Sequence, residues 1–182
     1  VSTAYALANT FTFALRGKRS VRLSSHGQLR LVSADVRGPR FSHTLFFSSL
    51  FAAPFYHELV MAHCCVPSSG HHGPFNVAEL TPAMYVPIGA GELRLRIADH
   101  LRYRRFDCAP IAAERVREVT ALLEGVLTQP LEIHALAACE WFSAPTNRTH
   151  PHEWSHALLE FHEYAIFDTL HNRLMCLMFA FD

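Results

Sequence analysis

Apolar residues recur along this chain with two different periods, and the clearest run is helical. Over residues 111–127, Ile111, Val116, Val119, Leu122, Leu123, Val126 and Leu127 form one stripe, while Glu114, Arg115, Arg117, Glu118 and Glu124 face away, which predicts an amphipathic helix. Pro110 suits its start and Pro130 its end. Strand periods flank it. Leu93, Leu95 and Ile97 alternate with Arg94 and Arg96, and Leu101 and Tyr103 with Arg102 and Arg104, so residues 92–106 read as a strand, with residues 75–80 as its hairpin partner. Residues 28–36, with Leu29, Leu31 and Ala34 among polar positions, read as another strand, as do residues 131–142, which close on Trp141 and Phe142. Residues 42–51 predict a short helix capped by Ser42, with Pro54 either ending it or starting another.

The C-terminal pattern is double-valued. Ala157, Leu159 and Phe161 alternate as in a strand, yet Trp154, Ala157, Leu158, Phe161 and Ala165 also satisfy a helix. Residues 167–181, with Leu170, Leu174, Leu177, Met178 and Phe181 on one face, read as a helix either way.

Composition adds a core and removes several classes of function. Half of the 182 residues are hydrophobic and 14 are Phe, ample for one domain without metal or disulfide staples. Five cysteines, two of them adjacent and none in a C-x-x-C pair, point to a reducing compartment. No apolar stretch reaches the ~20 residues that span a bilayer. Zero formal net charge argues against a nucleic-acid partner.

The charges are nevertheless unevenly placed. No acidic residue precedes Asp35, while Arg16, Lys18, Arg19, Arg22 and Arg30 lie among Ser, Thr, Ala and Leu, which is transit-peptide chemistry. Residues 1–40 therefore read either as a basic N-terminal arm that docks on an acidic partner subunit or as the remainder of an organellar transit peptide, followed by a domain over residues 41–182.

Candidate chemistry is sparse. His152-Glu153-Trp154-Ser155-His156 fits the H-E-x-x-H zinc pattern, and His162 stands where a third histidine would, but Leu159 replaces the glycine that the longer protease pattern requires. A zinc metalloprotease is therefore the third reading, and a zinc-free protein is expected. Cys64-Cys65, His63 and His71-His72 are better explained as buried thiols and loop histidines than as ligands. The arginines at 94, 96, 102, 104 and 105 would line one face of the predicted hairpin. The chain has no Gly-rich phosphate loop and no G-x-S-x-G elbow.

Four stretches, taken in order, resemble the coenzyme Q-binding START-domain proteins. These are Tyr56-His57-Glu58-Leu59-Val60 followed by Cys64; Phe75-Asn76-Val77-Ala78-Glu79-Leu80; Trp141-Phe142 with Pro145; and Leu159-Glu160-Phe161 followed by Met178-Phe179-Ala180-Phe181-Asp182. The resemblance covers residues 42–182. Met61 replaces the family's proline, its tryptophan is missing before Cys64, and Trp141 and Phe142 are adjacent rather than spaced. It implies an α+β helix-grip fold, a curved antiparallel sheet wrapped around a long C-terminal helix, with the helix at 111–127 as an insertion. It also implies an apolar cavity, lined by Trp141, Phe142, Leu159, Phe161, Leu174, Met178 and Phe181, in which Phe161 faces Met178.

The ligand so implied is ubiquinone or another lipid, bound without chemistry, and the implied setting is the mitochondrial matrix or the matrix face of the inner membrane. The alternative is an accessory structural subunit of a mitochondrial membrane-protein complex, of the respiratory chain or the ATP synthase, held to its neighbours through the basic arm.

Overall fold

The fold was obtained as a computed structural model, which describes residues 10–61, 64–67, 70–102, 109–127, 131–136 and 160–181. It is α+β, organised on a six-stranded sheet in which every neighbouring pair is antiparallel. In chain order the elements are β1 (Thr12–Ser24), β2 (Gly27–Arg37), α1 (His43–Phe51), β3 (Glu58–Met61), β4 (Cys64–Pro67), β5 (His71–His72), β6 (Phe75–Asn76), β7 (Tyr85–Pro87), α2 (Ala90–His100), α3 (Ala113–Val126), β8 (Leu131–Leu136), β9 (Glu160–Asp168) and β10 (Arg173–Phe181). The large sheet runs β1-β2-β10-β9-β8-β7, and β4-β3-β5-β6 form a second, small sheet.

Strand alternation divides the apolar residues between the two faces of the large sheet. On one face Val32, Val36, Phe161, Ala165, Phe167, Leu174, Cys176 and Met178 pack against α1, through Phe46, Phe47, Leu50 and Phe51, and against the chain that builds the small sheet. On the other, Leu29, Leu31, Ile133, Tyr164, Ile166, Leu177, Phe179 and Phe181 pack against Leu93 and Ile97 of α2 and Val119 and Leu123 of α3. The result is three layers with the sheet in the middle.

The helix expected at 111–127 is α3, and the strand expected at 28–36 is β2. The helix expected at 42–51 is α1; Ser42 occupies its N-cap position in extended conformation, but its carbonyl, not its side chain, receives the first helical bond, from Phe46 N. The strand expected at 131–142 is described as far as Leu136.

Four expectations are corrected. The long C-terminal helix is absent: residues 173–181 are β10, hydrogen-bonded between β2 and β9. A strand in that position is covered on both faces, so its sequence is a continuous apolar run and loses the alternation that marks a half-buried strand. Residues 90–100 are helical rather than a hairpin strand, because Leu93 and Ile97, four apart, are the buried pair while Leu95 is 70% exposed. Arg94 and Arg96 then do not share a sheet face: Arg94 grips Glu124 of α3 and Arg96 reaches back one turn to Glu92. Residues 75–80 hold only the two-residue β6 and one turn of 3-10 helix, Val77–Glu79. Finally, residues 12–37 are not an arm. They are two strands of the large sheet and supply Val21, Leu23, Leu29, Leu31, Val32 and Val36 to the core.

Candidate functional site

Among the residues expected to line a cavity, Trp141, Phe142 and Leu159 lie outside the described residues, as do His152 and His156. Phe161, Leu174 and Met178 share the face of the large sheet that meets α1 and the small sheet, whereas Phe181 points to the opposite face. All four are 0–2% exposed. Phe161 and Met178 do not face each other from a strand and a closing helix. They stand on neighbouring strands of one sheet, with Met178 directly opposite Glu163. Phe161 meets Phe75 and His72 edge-on, and the backbone of Gly73 lies against its ring.

Beneath the small sheet a polar cluster is sealed from solvent. The Tyr56 ring stacks on His72 with centroids 3.7 Å apart and planes 5° from parallel. His72 Nδ1–H donates to the Tyr56 carbonyl, and His72 Nε2 is hydrogen-bonded to Glu163 Oε2. The Tyr56 and Tyr85 hydroxyls bond to each other. Burial, reinforced by the nearby Glu163, pushes both phenols and the Cys176 thiol well above their ordinary pKa. The thiol is therefore held protonated and unreactive.

A second link lies nearby. Glu58 of β3, its side chain 1% exposed, is held by Lys18 Nζ of β1 at 2.8 Å and by an Arg30 guanidinium nitrogen of β2 at 2.6 Å. These two contacts fasten the small sheet to the large one, since a buried carboxylate must find partners.

Two histidines are poised neutral by burial. His100 of α2 shares a hydrogen bond with the Tyr164 hydroxyl at 2.6 Å and stacks on His162; burial, then His162, then Arg96 lower its pKa to about 3. His134 of β8 touches the rings of Phe41, His43 and Phe47, and burial followed by His43 lowers it to about 4. The unfolded chain takes up these protons from pH ~6.5 downward, and the folded chain only near the lowered values. Stability is therefore full above pH ~6.5 and declines as pH falls toward 4, each histidine adding up to ~1.4 kcal/mol per pH unit. Urea midpoints of the wild type across pH 4–8 are expected to fall on the acid side, and His100→Gln to flatten part of that slope. A slope unchanged in His100→Gln would show that carboxylates alone set it.

The opening with the chemistry of a binding site is at one end of the large sheet, next to the β9–β10 turn. It has a volume of about 420 Å³, within the usual size range of small-molecule sites. Phe11, Phe41 and Phe167 wall it, and Arg40, Glu132, Thr169 and Asn172 stand at its polar edge. The local fold fixes these positions. Phe167 lies directly opposite Glu132 across β9 and β8. Gly38 lets the chain pass against the Phe11 ring, where a Cβ would come within 2.4 Å of it. Asn172, at φ 52° in the turn, accepts a 2.8 Å bond from Val36 N through its carbonyl. Phe41 packs its ring 5.7 Å from that of Phe167 and 5.2 Å from that of Phe46.

Sequence reasoning reached the Gly38-Pro39 turn as punctuation but not the residues it brings together. Arg40 and Phe41 straddle the expected domain boundary, and Glu132 and Phe167 meet only through strand pairing. Among the described residues no three His, Cys, Asp or Glu side chains are placed to hold a metal ion, and no helix is long and apolar enough to cross a membrane. No family model matches the chain, and neither a curated protein nor a solved structure gives a match.

Proposed function

We propose that the protein binds, without chemistry, a small ring compound bearing carbonyl or carboxylate oxygens in the opening walled by Phe11, Phe41 and Phe167. The observation that carries this reading is the pairing of those aromatic walls with Arg40 at a polar edge that it shares with Glu132, Thr169 and Asn172. Aromatic faces accept a flat ring, and a guanidinium with a side-chain amide and hydroxyl beside it donates to ring oxygens. A quinone head group has that form. The ligand class therefore agrees with the START-like resemblance, although the proposed pocket is formed by different residues. A non-catalytic role is supported by the placement of the buried acid–base pair, His72 and Glu163, which joins two sheets away from this opening.

Titration of the full chain with a short-chain, water-soluble ubiquinone, followed by calorimetry, tests the reading. Phe41→Ala and Arg40→Ala are each expected to weaken binding by roughly tenfold, the equivalent of one stacking or charge-assisted contact. Leu170→Ala, an exposed residue of the same turn that does not line the opening, is expected to leave it unchanged. No measurable binding by the wild type, or equal binding by all four proteins, would remove this site.

A further inference from the structure

Strand β1 spans 13 residues at one end of the large sheet. It pairs with β2 along one side, and among the described residues nothing pairs with the other. That side presents the unpaired backbone N–H and C=O groups of an edge strand. Register shifts at Leu15/Gly17 and Arg22/Ser24 bracket a regular stretch, residues 17–22, whose first four residues are exposed. Within and beside it stand Arg16, Lys18, Arg19 and Arg22, and β1 contains no acid.

Among the described residues, the carboxylates that reach this row leave it positive. Glu58 is shared between Lys18 and Arg30, and Glu118 between Arg19 and Arg115, so each carboxylate meets two cations. Among the described residues, Arg22 bonds only the carbonyl of Ser24. Arg16, paired with Asp35, is the balanced member.

We propose that the free edge of β1 receives an extended acidic segment of a partner protein as a seventh strand. Main-chain hydrogen bonds would hold the added strand, and its acidic side chains would meet the surplus cations on both faces of the edge. A second copy of this chain is the poorer occupant, because β1 beside β1 would set arginines and lysine against their like. The site lies apart from the aromatic opening at the sheet end, so the two can fail independently.

The test uses the full chain and four capped eight-residue peptides: alternating Glu and Thr, the same peptide N-methylated at alternate nitrogens in one register and in the other, and alternating Lys and Thr. Amide hydrogen exchange over residues 12–24 and binding by fluorescence polarisation are read together. The Glu peptide is expected to bind and to slow exchange in β1; N-methylation and Arg22→Glu are each expected to weaken binding at least about tenfold; the Lys peptide is expected not to bind. Equal affinity for the N-methylated peptides would make the contact purely electrostatic and overturn strand addition. Absence of any effect of the Glu peptide on β1, or a dimer of the free protein with its β1 amides protected, would overturn the acidic partner.

Discussion

Glu163→Ala and His72→Ala are each expected to destabilise the protein by about 3–5 kcal/mol, the range found when one member of a buried polar pair is removed and the other is left unsatisfied. Both side chains are at most 1% exposed, and the contact joins β5 of the small sheet to β9 of the large one. Losing Glu163 strands His72 Nε2 in a shell of aromatic rings. Losing His72 strands the carboxyl and also removes the ring on which Tyr56 stacks. The effect is specific to breaking the pair. Glu163→Met with His72→Phe keeps volume and the stacked ring while removing both polar groups, and the double variant is expected to lose clearly less than the sum of its single changes. Urea unfolding at pH 7 of the wild type, the two alanine variants, Glu163→Met, His72→Phe and the double variant, with unchanged m-values, measures this. Additive losses, or single losses below about 1 kcal/mol, would show that the contact does not fasten the sheets.

Periodicity revealed the elements whose apolar positions are broken by polar ones and failed where burial was continuous or absent. The stripe of α3 is legible because one face of it is in the core; β2 feeds both faces of the sheet and is legible because Arg30, Ser33 and Asp35, each half-buried, interrupt its apolar run. In β9 and β10 both faces are covered, so Leu174-Met175-Cys176-Leu177-Met178-Phe179 offers no alternation, and its Leu and Met residues favour a helical reading. Strand β1 fails for the opposite reason: most of residues 12–20 are exposed on both faces, so the strand reads as a polar, basic arm. In α2 the sequence Leu93-Arg94-Leu95-Arg96-Ile97 alternates perfectly, and only the exposure of Leu95 reveals the helix.

The polar cluster left no local trace. Tyr56, His72, Tyr85 and Glu163 carry no spacing that marks them, because what unites them is the closure of a small sheet over a large one across as many as 91 residues. The aromatic opening is hidden in the same way, its walls coming from before β1, the β2–α1 connection and β9.

Phe161 gives the sharpest contrast between a cavity wall and a packed core. A ring lining a ligand cavity could be enlarged with little loss of stability, and its replacement would be read chiefly in bound ligand. Here the ring is 0% exposed, flanked by Phe75 and His72 and covered by Gly73. Phe161→Ala is therefore expected to cost about 3–5 kcal/mol, as for other large-to-small core changes at aromatic positions. Phe161→Trp, which the cavity reading would tolerate, is expected to cost about 1–3 kcal/mol from overpacking.

The same contact can be stressed from its other side. At Gly73 φ is 50°, and an added Cβ would come within 2.5 Å of the Phe161 ring, so Gly73→Ala incurs about 1 kcal/mol of left-handed backbone strain and a clash besides. Combining it with Phe161→Leu removes the ring edge and should return part of the loss, leaving the double variant more stable than the sum of the single changes predicts. Chemical denaturation of the five variants beside the wild type decides the matter. A Phe161→Trp variant as stable as the wild type, or strict additivity of Gly73→Ala with Phe161→Leu, would mean that space remains beside this ring and would return Phe161 to the wall of a cavity.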